Sequence, residues 1–359
     1  MSVGKRGPGV RIRLFMWRAC WAIVAQPLLR PMPSLRTGAV NLFGGKIHRQ
    51  VIIYPSTTIA IPWNLTMEKY TAMGDGVVCE NEFPVHIGCY AVVSQRARLL
   101  ANDGGISIEP HAWIMAEASI GPGVTVGEGA VVGARAVARE SLLPWSVYVG
   151  EPAKYLRSRD KEGYLETVGE RGLPDGTTMK SEHRRTSTQP HLVHRKINFR
   201  NRAKRWLWNL LWTLLAKPLP ARNSRMRVGL VNLFGGHIHS SVKIDGRARI
   251  WAPWNLTAGA GTTIASDVDL YSVDTVEIGK NVSIGAGSFL CTASHDYNDG
   301  CLPLLAAPIH IGDHATIGEG SFLAAGVIMG ISAETRAGAV VVRNVESGVT
   351  VSGNPARPC

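Results

Sequence analysis

A period of six residues dominates both halves of the chain and restricts the folds open to it. In the stretch VTVGEGAVVGARAV, residues 124–137, aliphatic residues stand at Val126 and Val132, and a glycine follows each. The stretch VEIGKNVSIGAG places Ile278 and Ile284 at the same spacing. A helix requires a period near 3.6 and an amphipathic strand a period of about 2, so neither fits. The repeat therefore predicts short strands joined at glycine corners around an aliphatic interior, which is a parallel β-helix.

The chain contains this unit twice. VNLFGG occurs at residues 40–45 and again at 231–236, and PWNLT occurs at 62–66 and again at 253–257. Both pairs are offset by 191 positions, from 231 − 40 and 253 − 62. Two tandem copies of one fold follow from this duplication.

The copies are separated by a stretch rich in Arg, Lys, Glu, Thr and Gly, with HRR and HRK runs and few large apolar residues. Such a composition is typical of a linker. We expect a first domain at 1–157, a basic linker at 158–202 and a second domain at 203–359.

Each copy begins with an apolar, Trp-rich segment among Arg and Lys: LFMWRACWAIVAQPLL at 14–29 and WLWNLLWTLLAKPLP at 206–220. Both segments are shorter or more interrupted than the roughly 20 apolar residues that span a bilayer. Each predicts a short amphipathic helix. Two interpretations stay open: a helix lying in the membrane interface, or a helix packed on its own domain.

The formal net charge of +12 indicates an anionic partner. The HRR and HRK runs have the positive charge of a nucleic-acid-binding segment, but they belong to no recognisable binding module. We therefore expect no nucleic acid partner. None of the six cysteines forms a CxxC pair, which favours a reducing compartment. They are Cys20, Cys79, Cys89, Cys291, Cys301 and Cys359.

One polar segment interrupts the second copy. It reads FLCTASHDYNDGCLPLLAAP, residues 289–308, and His295 stands at its centre. A polar loop with a histidine, inserted into a regular repeat, is a candidate site of chemistry.

The repeats, SHDY at 294–297, IHIGDHATIGEG at 309–320 and GNPAR at 353–357 resemble the hexapeptide-repeat acyltransferases. Within these, the chain is most similar to the colanic-acid-type acetyltransferases of exopolysaccharide biosynthesis. The resemblance implies an all-β fold, a left-handed parallel β-helix, which is an exception to the right-handed crossover rule. It also implies a homo-oligomer of three β-helices with active sites between neighbours.

The activity implied by the resemblance is acetyl transfer from acetyl-CoA to a sugar hydroxyl. A hydroxyl needs a base whose pKa lies near the working pH, and histidine suits that role. We expect His295 to be the general base and Asp296 to orient it. A cysteine nucleophile, Cys291 or Cys301, stays open as an alternative.

Further site residues are carried over from the family. The acceptor-binding candidates are Asp267, Tyr297, Asn298 and Asp299, although a polar turn over 296–299 is the competing interpretation. The acetyl-CoA candidates are Gly318, Ala324, Ala325, Arg343 and Arg357. Thr316 stands where relatives have Trp, and the chain stops soon after GNPAR, so another subunit or the first copy is expected to complete the CoA pocket.

The first copy departs from the pattern. At the offset of 191, Gly104 and Gly105 stand where the second copy has His295 and Asp296. The alignment resumes at an offset of 203, so the first copy lacks 12 residues (203 − 191). We therefore expect a degenerate first copy and an active second copy.

Two alternatives complete the predictions. Zinc held by His295, His310 and His314 is disfavoured because His310 alternates with inward-facing isoleucines, and no metal is expected. A catalytically inactive, membrane-associated β-helix scaffold is the other alternative. The expected acceptor is a lipid-linked or nucleotide-linked saccharide, and the expected location is cytoplasmic or peripheral on the cytoplasmic face of the inner membrane.

Overall fold

The computed structural model describes residues 7–25, 33–169, 193–194, 199–220, 223–296, 299 and 304–359. The chain forms two compact units, Met1–Gly169 and Glu170–Cys359. In each unit, helices precede a long series of very short strands.

The first unit begins with α1 (Pro8–Cys20), continued by a π-helical turn at Trp21–Ala25, and α2 (Pro33–Leu42). Its strands are β1 (Lys46–Ile47), β2 (Ile52–Ile53), β3 (Thr58–Ile59), β4 (Leu65–Met67), β5 (Ala72–Met73), β6 (Val78–Asn81), β7 (Val85–Ile87), β8 (Val92–Val93), β9 (Arg98–Ala101), β10 (Ile106–Ile108), β11 (Trp113–Ile114), β12 (Ser119–Ile120), β13 (Thr125–Val126), β14 (Val131–Val132), β15 (Val137–Ala138), β16 (Ser146–Val149) and β17 (Lys154–Ser158). The helix α3 (Lys161–Gly169) follows them.

The second unit contains β18 (Val193–His194), α4 (Phe199–Leu211) with a π-helical turn at Trp212–Ala216, and α5 (Ser224–Leu233). Its remaining strands are β19 (His237–Ile238), β20 (Lys243–Ile244), β21 (Arg249–Ile250), β22 (Leu256–Ala258), β23 (Thr263–Ile264), β24 (Asp269–Tyr271), β25 (Val276–Ile278), β26 (Ser283–Ile284), β27 (Phe289–Cys291), β28 (Ala293–His295), β29 (Leu304–Ala306), β30 (Ile309–Ile311), β31 (Thr316–Ile317), β32 (Phe322–Leu323), β33 (Ile328–Met329), β34 (Glu334–Thr335), β35 (Val340–Val341), β36 (Thr350–Ser352) and β37 (Arg357–Pro358). Thus α3, β18 and the start of α4 fall within the segment 158–202 that the sequence predicts as a linker.

Successive coils pair in parallel and wrap a three-sided prism. Each unit has one sheet of seven strands and two of five, so the two copies share one plan. Aliphatic residues stack inside: Ile264 pairs with Ile284, which pairs with Ile317, and all three are buried. Each six-residue repeat therefore forms one face of a coil and contributes one inward-facing residue to the interior. The predicted fold class, two tandem parallel β-helices each preceded by a helix, is confirmed.

The second prism has three corners, one between each pair of its parallel sheets. The first corner comprises 259–261, 279–281, 312–314 and 330–332; the second comprises 265–267, 285–287, 318–320 and 336–338; the third comprises 251–255, 271–275, 292–308, 324–327 and 342–344. Many corner residues adopt the left-handed conformation, such as Asp267 (φ +57°) and His314 (φ +62°).

The helices close one end of each prism. We call α1 with α2 the first cap and α4 with α5 the second cap. The indole N–H of Trp17 donates to the Ile59 carbonyl at 2.8 Å, and that of Trp208 donates to the Ile250 carbonyl at 2.6 Å. These carbonyls belong to first-coil strands, which have no preceding coil to satisfy them.

The other two faces are capped in the same way. Arg36 donates from Nε to the Ile53 carbonyl, and Asn41 donates to the Ile47 carbonyl. Their counterparts 191 positions later, Arg227 and Asn232, make matching bonds to the second prism. Each cap is therefore an integral part of its domain. No described helix is long and apolar enough to cross a bilayer.

Candidate active site

His295 lies on a short hairpin that projects from the third corner of the second prism. The hairpin consists of β28 and β29, antiparallel, with His295 opposite Leu304. A third strand, β18, pairs antiparallel with β29, with Val193 opposite Ala306. The segment that precedes the second cap thus supports the strand partner of His295.

A small apolar cluster supports the hairpin. Ala293 and Ala306 pack with Val273, and the rings of Trp251 and Tyr271 lie against them, 5.4 Å apart between centroids. Because Ala293 and Ala306 face each other across the hairpin, the cluster fixes the register that places His295 at its outer end.

Polar contacts join the base of the hairpin to the coil before it. The Thr292 hydroxyl donates to the Tyr271 carbonyl at 2.8 Å and accepts from the Asp274 N–H at 2.9 Å. The backbone of Thr292 also accepts from the Ala307 N–H at 3.0 Å, which closes the base of the hairpin. The base is thus held on both sides, and β28 is oriented by its neighbouring coil.

The predicted catalytic pair lies together at the outer end of the hairpin. His295 and Asp296 are both half-buried, and the Asp296 carbonyl accepts a bond from the Asp299 N–H at 3.3 Å. Tyr297 and Asn298, two predicted acceptor-binding residues, lie outside the described residues, as does Cys301. The structure thus places His295, Asp296 and Asp299 in one polar turn.

Three of the five predicted acetyl-CoA residues share the third corner with the hairpin. Ala324 and Ala325 form this corner one coil after the hairpin, and the exposed Arg343 lies one coil further on. Both alanines are half-buried, and the Ala324 N–H already donates to the Val341 carbonyl at 2.9 Å, so this corner offers a ligand small side chains beside a cation. Such an edge suits a narrow chain that ends in phosphates.

The other predicted residues lie elsewhere on the prism. Asp267 and Gly318 are at the second corner, and Arg357 is on β37, on the face that leads to that corner. Asp267 is exposed and lies 3.5 Å from Arg247. The four residue steps from Gly320 to Ala324 correspond to roughly 13 Å of extended chain. Within one prism the two groups of residues therefore do not converge.

Gly318 has no free backbone donor for a ligand. Its N–H already donates to the Thr335 carbonyl at 3.0 Å and to the Thr335 hydroxyl at 2.8 Å. Its carbonyl accepts from the Ser288 hydroxyl at 3.0 Å. What Gly318 offers a ligand is a surface without a side chain.

The matching position of the first unit has no such hairpin. Residues 102–105 form a bend between β9 and β10, and Asn102 and Asp103 are exposed there. Gly104 approaches the next coil closely, because a Cβ atom on it would lie 2.8 Å from the Gly123 nitrogen. The first unit therefore lacks the strand that carries His295.

The first unit has instead an aromatic ladder that the six-residue repeat does not predict. Tyr70, Tyr90 and His111 stack along one corner with ring centroids 5.1 Å apart, and Trp145 follows His111 at 6.3 Å. His111 Nδ1 lies 3.1 Å from the Tyr164 hydroxyl. The recurrence of aromatic residues once per coil, at 70, 90 and 111, is the signal that would have revealed it.

The aromatic ladder alters the chemistry of its histidine. Burial lowers the pKa of His111, and Arg159 lowers it further, while Glu128 opposes them. Arg159 also donates to the His111 carbonyl at 3.1 Å and to the Gly129 carbonyl at 2.7 Å. A neutral His111 is thus part of the packing.

The geometry bears on the two chemical alternatives. The Cys291 thiol is buried and donates to the Ala293 carbonyl at 3.1 Å, which does not favour a nucleophile. His310 lies 2.9 Å from Glu277 on a flat face, while His314 is exposed at the first corner. Among the described residues, no group of three or more His, Cys, Asp or Glu side chains could hold a metal ion.

A shallow depression of about 530 Å³ lies on the first unit, lined by residues that include Asn41, Lys46, His48 and Glu68. It belongs to the unit without the hairpin, so we assign no chemistry to it.

Comparisons with known proteins identify similar sequences. The model of the bacterial transferase hexapeptide (six repeats) matches residues 105–139, in the first unit. The chain is 33% identical over 168 residues to a protein of Escherichia coli (strain K12) named colanic acid biosynthesis acetyltransferase WcaF, covering 44% of this chain and 92% of that protein.

Two solved structures are also similar. A hexapeptide-repeat acetyltransferase from Vibrio cholerae is 27% identical with a TM-score of 0.40, covering 44% of this chain and 90% of that one. A maltose O-acetyltransferase from Clostridium difficile 630 is 21% identical with a TM-score of 0.41, covering 45% and 88%.

Proposed function

The chain belongs to the hexapeptide-repeat acetyltransferases, and we propose that it moves an acetyl group from acetyl-CoA to a hydroxyl of a cell-surface saccharide, with His295 as the general base. The observation that carries this proposal is the hairpin of the second unit. It presents His295 and Asp296 beside a corner of small residues, and the first unit lacks it.

The proposed reaction needs one proton shuttle. The neutral imidazole of His295 takes the proton of the saccharide hydroxyl as its oxygen attacks the thioester carbonyl. The tetrahedral intermediate then expels the CoA sulfur, the C–S bond breaks, and the imidazolium returns the proton to the thiolate. Asp296 would orient the imidazole, and Asp299 would bind the acceptor.

The two separate groups of residues favour a site shared between neighbouring prisms. Ala324, Ala325 and Arg343 accompany His295 at the third corner, whereas Asp267, Gly318 and Arg357 belong to the second corner and its approach. In a trimer of β-helices, the third corner of one copy would meet the second corner of a neighbour. This arrangement would bring both groups to one molecule of acetyl-CoA and its acceptor.

The relative in colanic acid biosynthesis supports a saccharide acceptor, which we propose to be lipid-linked or nucleotide-linked. Such an acceptor would place the enzyme in the cytoplasm or at the cytoplasmic face of the membrane.

The test is release of free CoA thiol from acetyl-CoA by the full chain, over a panel of saccharides. His295→Ala should lower turnover by roughly 10² to 10⁴ while acetyl-CoA binding persists, because only the base is removed. His314→Asn is the matched control, since His314 is an exposed histidine of the same prism with a backbone conformation that Asn adopts.

Unchanged turnover in His295→Ala would assign the base to another residue. A wild-type protein that neither binds acetyl-CoA nor releases thiol would leave the scaffold as the better explanation.

A further inference from the structure

The two caps repeat their exposed surfaces as well as their buried ones. Phe15 and Trp206, 191 positions apart, are 73% and 66% exposed, and Leu42 and Leu233 are 81% and 78% exposed. The other exposed apolar residues that recur at this offset are Met16 with Leu207, Ile23 with Leu214, and Leu35 with Met226. Five pairs of apolar side chains are thus presented to solvent in both caps.

These residues are not needed to hold the caps in place. In α1, Leu14 and Trp17 face the prism and are buried, whereas Phe15 and Met16 lie on the opposite side. In α4, Trp208 is buried while Trp206 and Leu207 are exposed. At 3.6 residues per turn, each helix therefore has a second apolar face directed away from its prism.

Cations border the exposed face of both helices, and carboxylates are absent from the sequence around them. Arg11 and Arg18 of α1 and Arg200 of α4 are exposed. Arg13 and Lys204 are also exposed, but they lie over the indole rings of Trp63 and Trp254 and so contact their own domains. Residues 1–67 contain 9 Lys and Arg residues and no Asp or Glu. Residues 183–244 contain 13 Lys and Arg residues and likewise no Asp or Glu.

The rest of the chain has the opposite charge. It carries 17 Lys and Arg (39 − 22) and all 27 Asp and Glu, a net charge of −10. The excess positive charge of this protein is therefore confined to the regions around its two caps.

We infer that each cap binds the interface of an anionic phospholipid bilayer. The apolar side chains would enter the boundary between headgroups and acyl chains, with the aromatic Phe15 and Trp206 at headgroup level. The arginines and lysines would extend their aliphatic stems beside them and place their charges on lipid phosphates. The charge favours this partner over an uncharged apolar surface, because an uncharged partner would gain nothing from the excess of cations.

The test is flotation of the full chain with vesicles of phosphatidylcholine, with and without phosphatidylglycerol, at low and high salt. Binding should require phosphatidylglycerol and weaken with salt. The double variants Phe15→Ser with Met16→Ser and Trp206→Ser with Leu207→Ser should each weaken binding roughly tenfold or more.

The matched control is Leu143→Ser with Ile328→Ser. Both side chains are exposed and apolar but lie outside the caps, so this variant should bind vesicles like the wild type. Thermal unfolding of each variant separates loss of binding from loss of fold.

Wild-type protein that stays unbound with phosphatidylglycerol vesicles would overturn the inference. So would cap variants that convert an oligomer to a smaller species in sedimentation without altering flotation, because the face would then be a contact between copies. The result is independent of acetyl transfer: a chain that binds vesicles but releases no CoA thiol would contradict the proposed function alone.

Discussion

At the corners of both prisms, the same backbone conformation holds different residues. Tyr90 in the first unit and Asn281 in the second, 191 positions apart, have φ values of +60° and +54°. Asn tolerates this left-handed region well and bulky residues do not. The stacking of Tyr90 between Tyr70 and His111 offsets that cost, so the aromatic ladder stabilises corners that are otherwise unfavourable.

The lowered pKa of His111 makes the stability of the first unit depend on pH. Below the ordinary histidine pKa of about 6.5, the unfolded chain takes up a proton that the folded unit resists. We expect stability to be independent of this residue above that pH and to fall as the pH drops towards about 5. The measurement is the urea concentration at which the first unit is half unfolded, determined at several pH values in this range. Hydrogen exchange in peptides of the first unit reports the unfolding.

The comparison variant is His111→Asn, which suits the left-handed backbone and does not titrate. Its midpoint should fall less steeply with acidification. Equal slopes in both proteins would show that other groups account for the acid sensitivity.

At the scale of the elements, glycine has two distinct functions in the coils. Gly312 lies so close to the next coil that a Cβ atom would be 2.7 Å from the Ile331 nitrogen. Gly320 has φ +61°, yet among the described residues no heavy atom lies within 4 Å of its Cβ position. The first glycine permits stacking, and the second permits only a turn.

Substitutions at these two glycines should therefore differ in cost. Gly312→Ala should lower the free energy of unfolding by about 1–3 kcal/mol, because backbone of the next coil must move. Gly320→Asn should cost about 1 kcal/mol or less, as Asn281 already occupies such a corner. Chemical denaturation of both variants measures the difference, and a larger loss for Gly320→Asn would contradict the steric account.

The predictability of these elements follows from the range of the interactions that make them. The spacing of Ile278 and Ile284 predicts the coil, because the pattern that forms each face is complete within six consecutive residues. The capping bonds of Trp17 and Trp208 join residues 42 positions apart, and no local period encodes them. The sequence could place a helix before each prism, but it could not show which side of that helix is buried.

The candidate site was predictable to a similar extent. The interruption at His295 marks the hairpin, because a polar insertion stands out from a strict repeat. The pairing of β18 with β29 was not predictable, since Val193 and Ala306 belong to distant segments without a shared pattern. Nor does the sequence show that Asp267 and His295 lie at different corners. Assigning a residue to a corner requires the correct register of every six-residue repeat before it.

At the scale of the whole molecule, the two units have separate interiors. Among the residues that the structure describes, one core includes Trp17, Ile53 and Leu99, the other includes Trp208, Ile244 and Leu290, and no residue belongs to both. A change in one core should therefore leave the stability of the other unit unaltered.

Trp208→Ala tests this independence. The variant removes a fully buried indole and its bond to the Ile250 carbonyl, so the second unit should lose about 3–5 kcal/mol. Hydrogen exchange resolved by peptide should accelerate in the second unit only. Trp206→Ala, on the exposed side of the same helix, should change little, and faster exchange in both units of Trp208→Ala would show that the cores are coupled.

The closed ends of the two prisms have a consequence for how the protein behaves when concentrated. A stack of parallel coils offers unpaired backbone groups at each end, which can template the addition of further chains into fibrils. The indoles of Trp17 and Trp208 occupy that position at one end, and β17 and β37 turn back antiparallel at the other. At the capped end, both β-helices are thus protected from end-to-end polymerisation by their own chain, whereas at the other end the reversed strands β17 and β37 are the edges of their sheets.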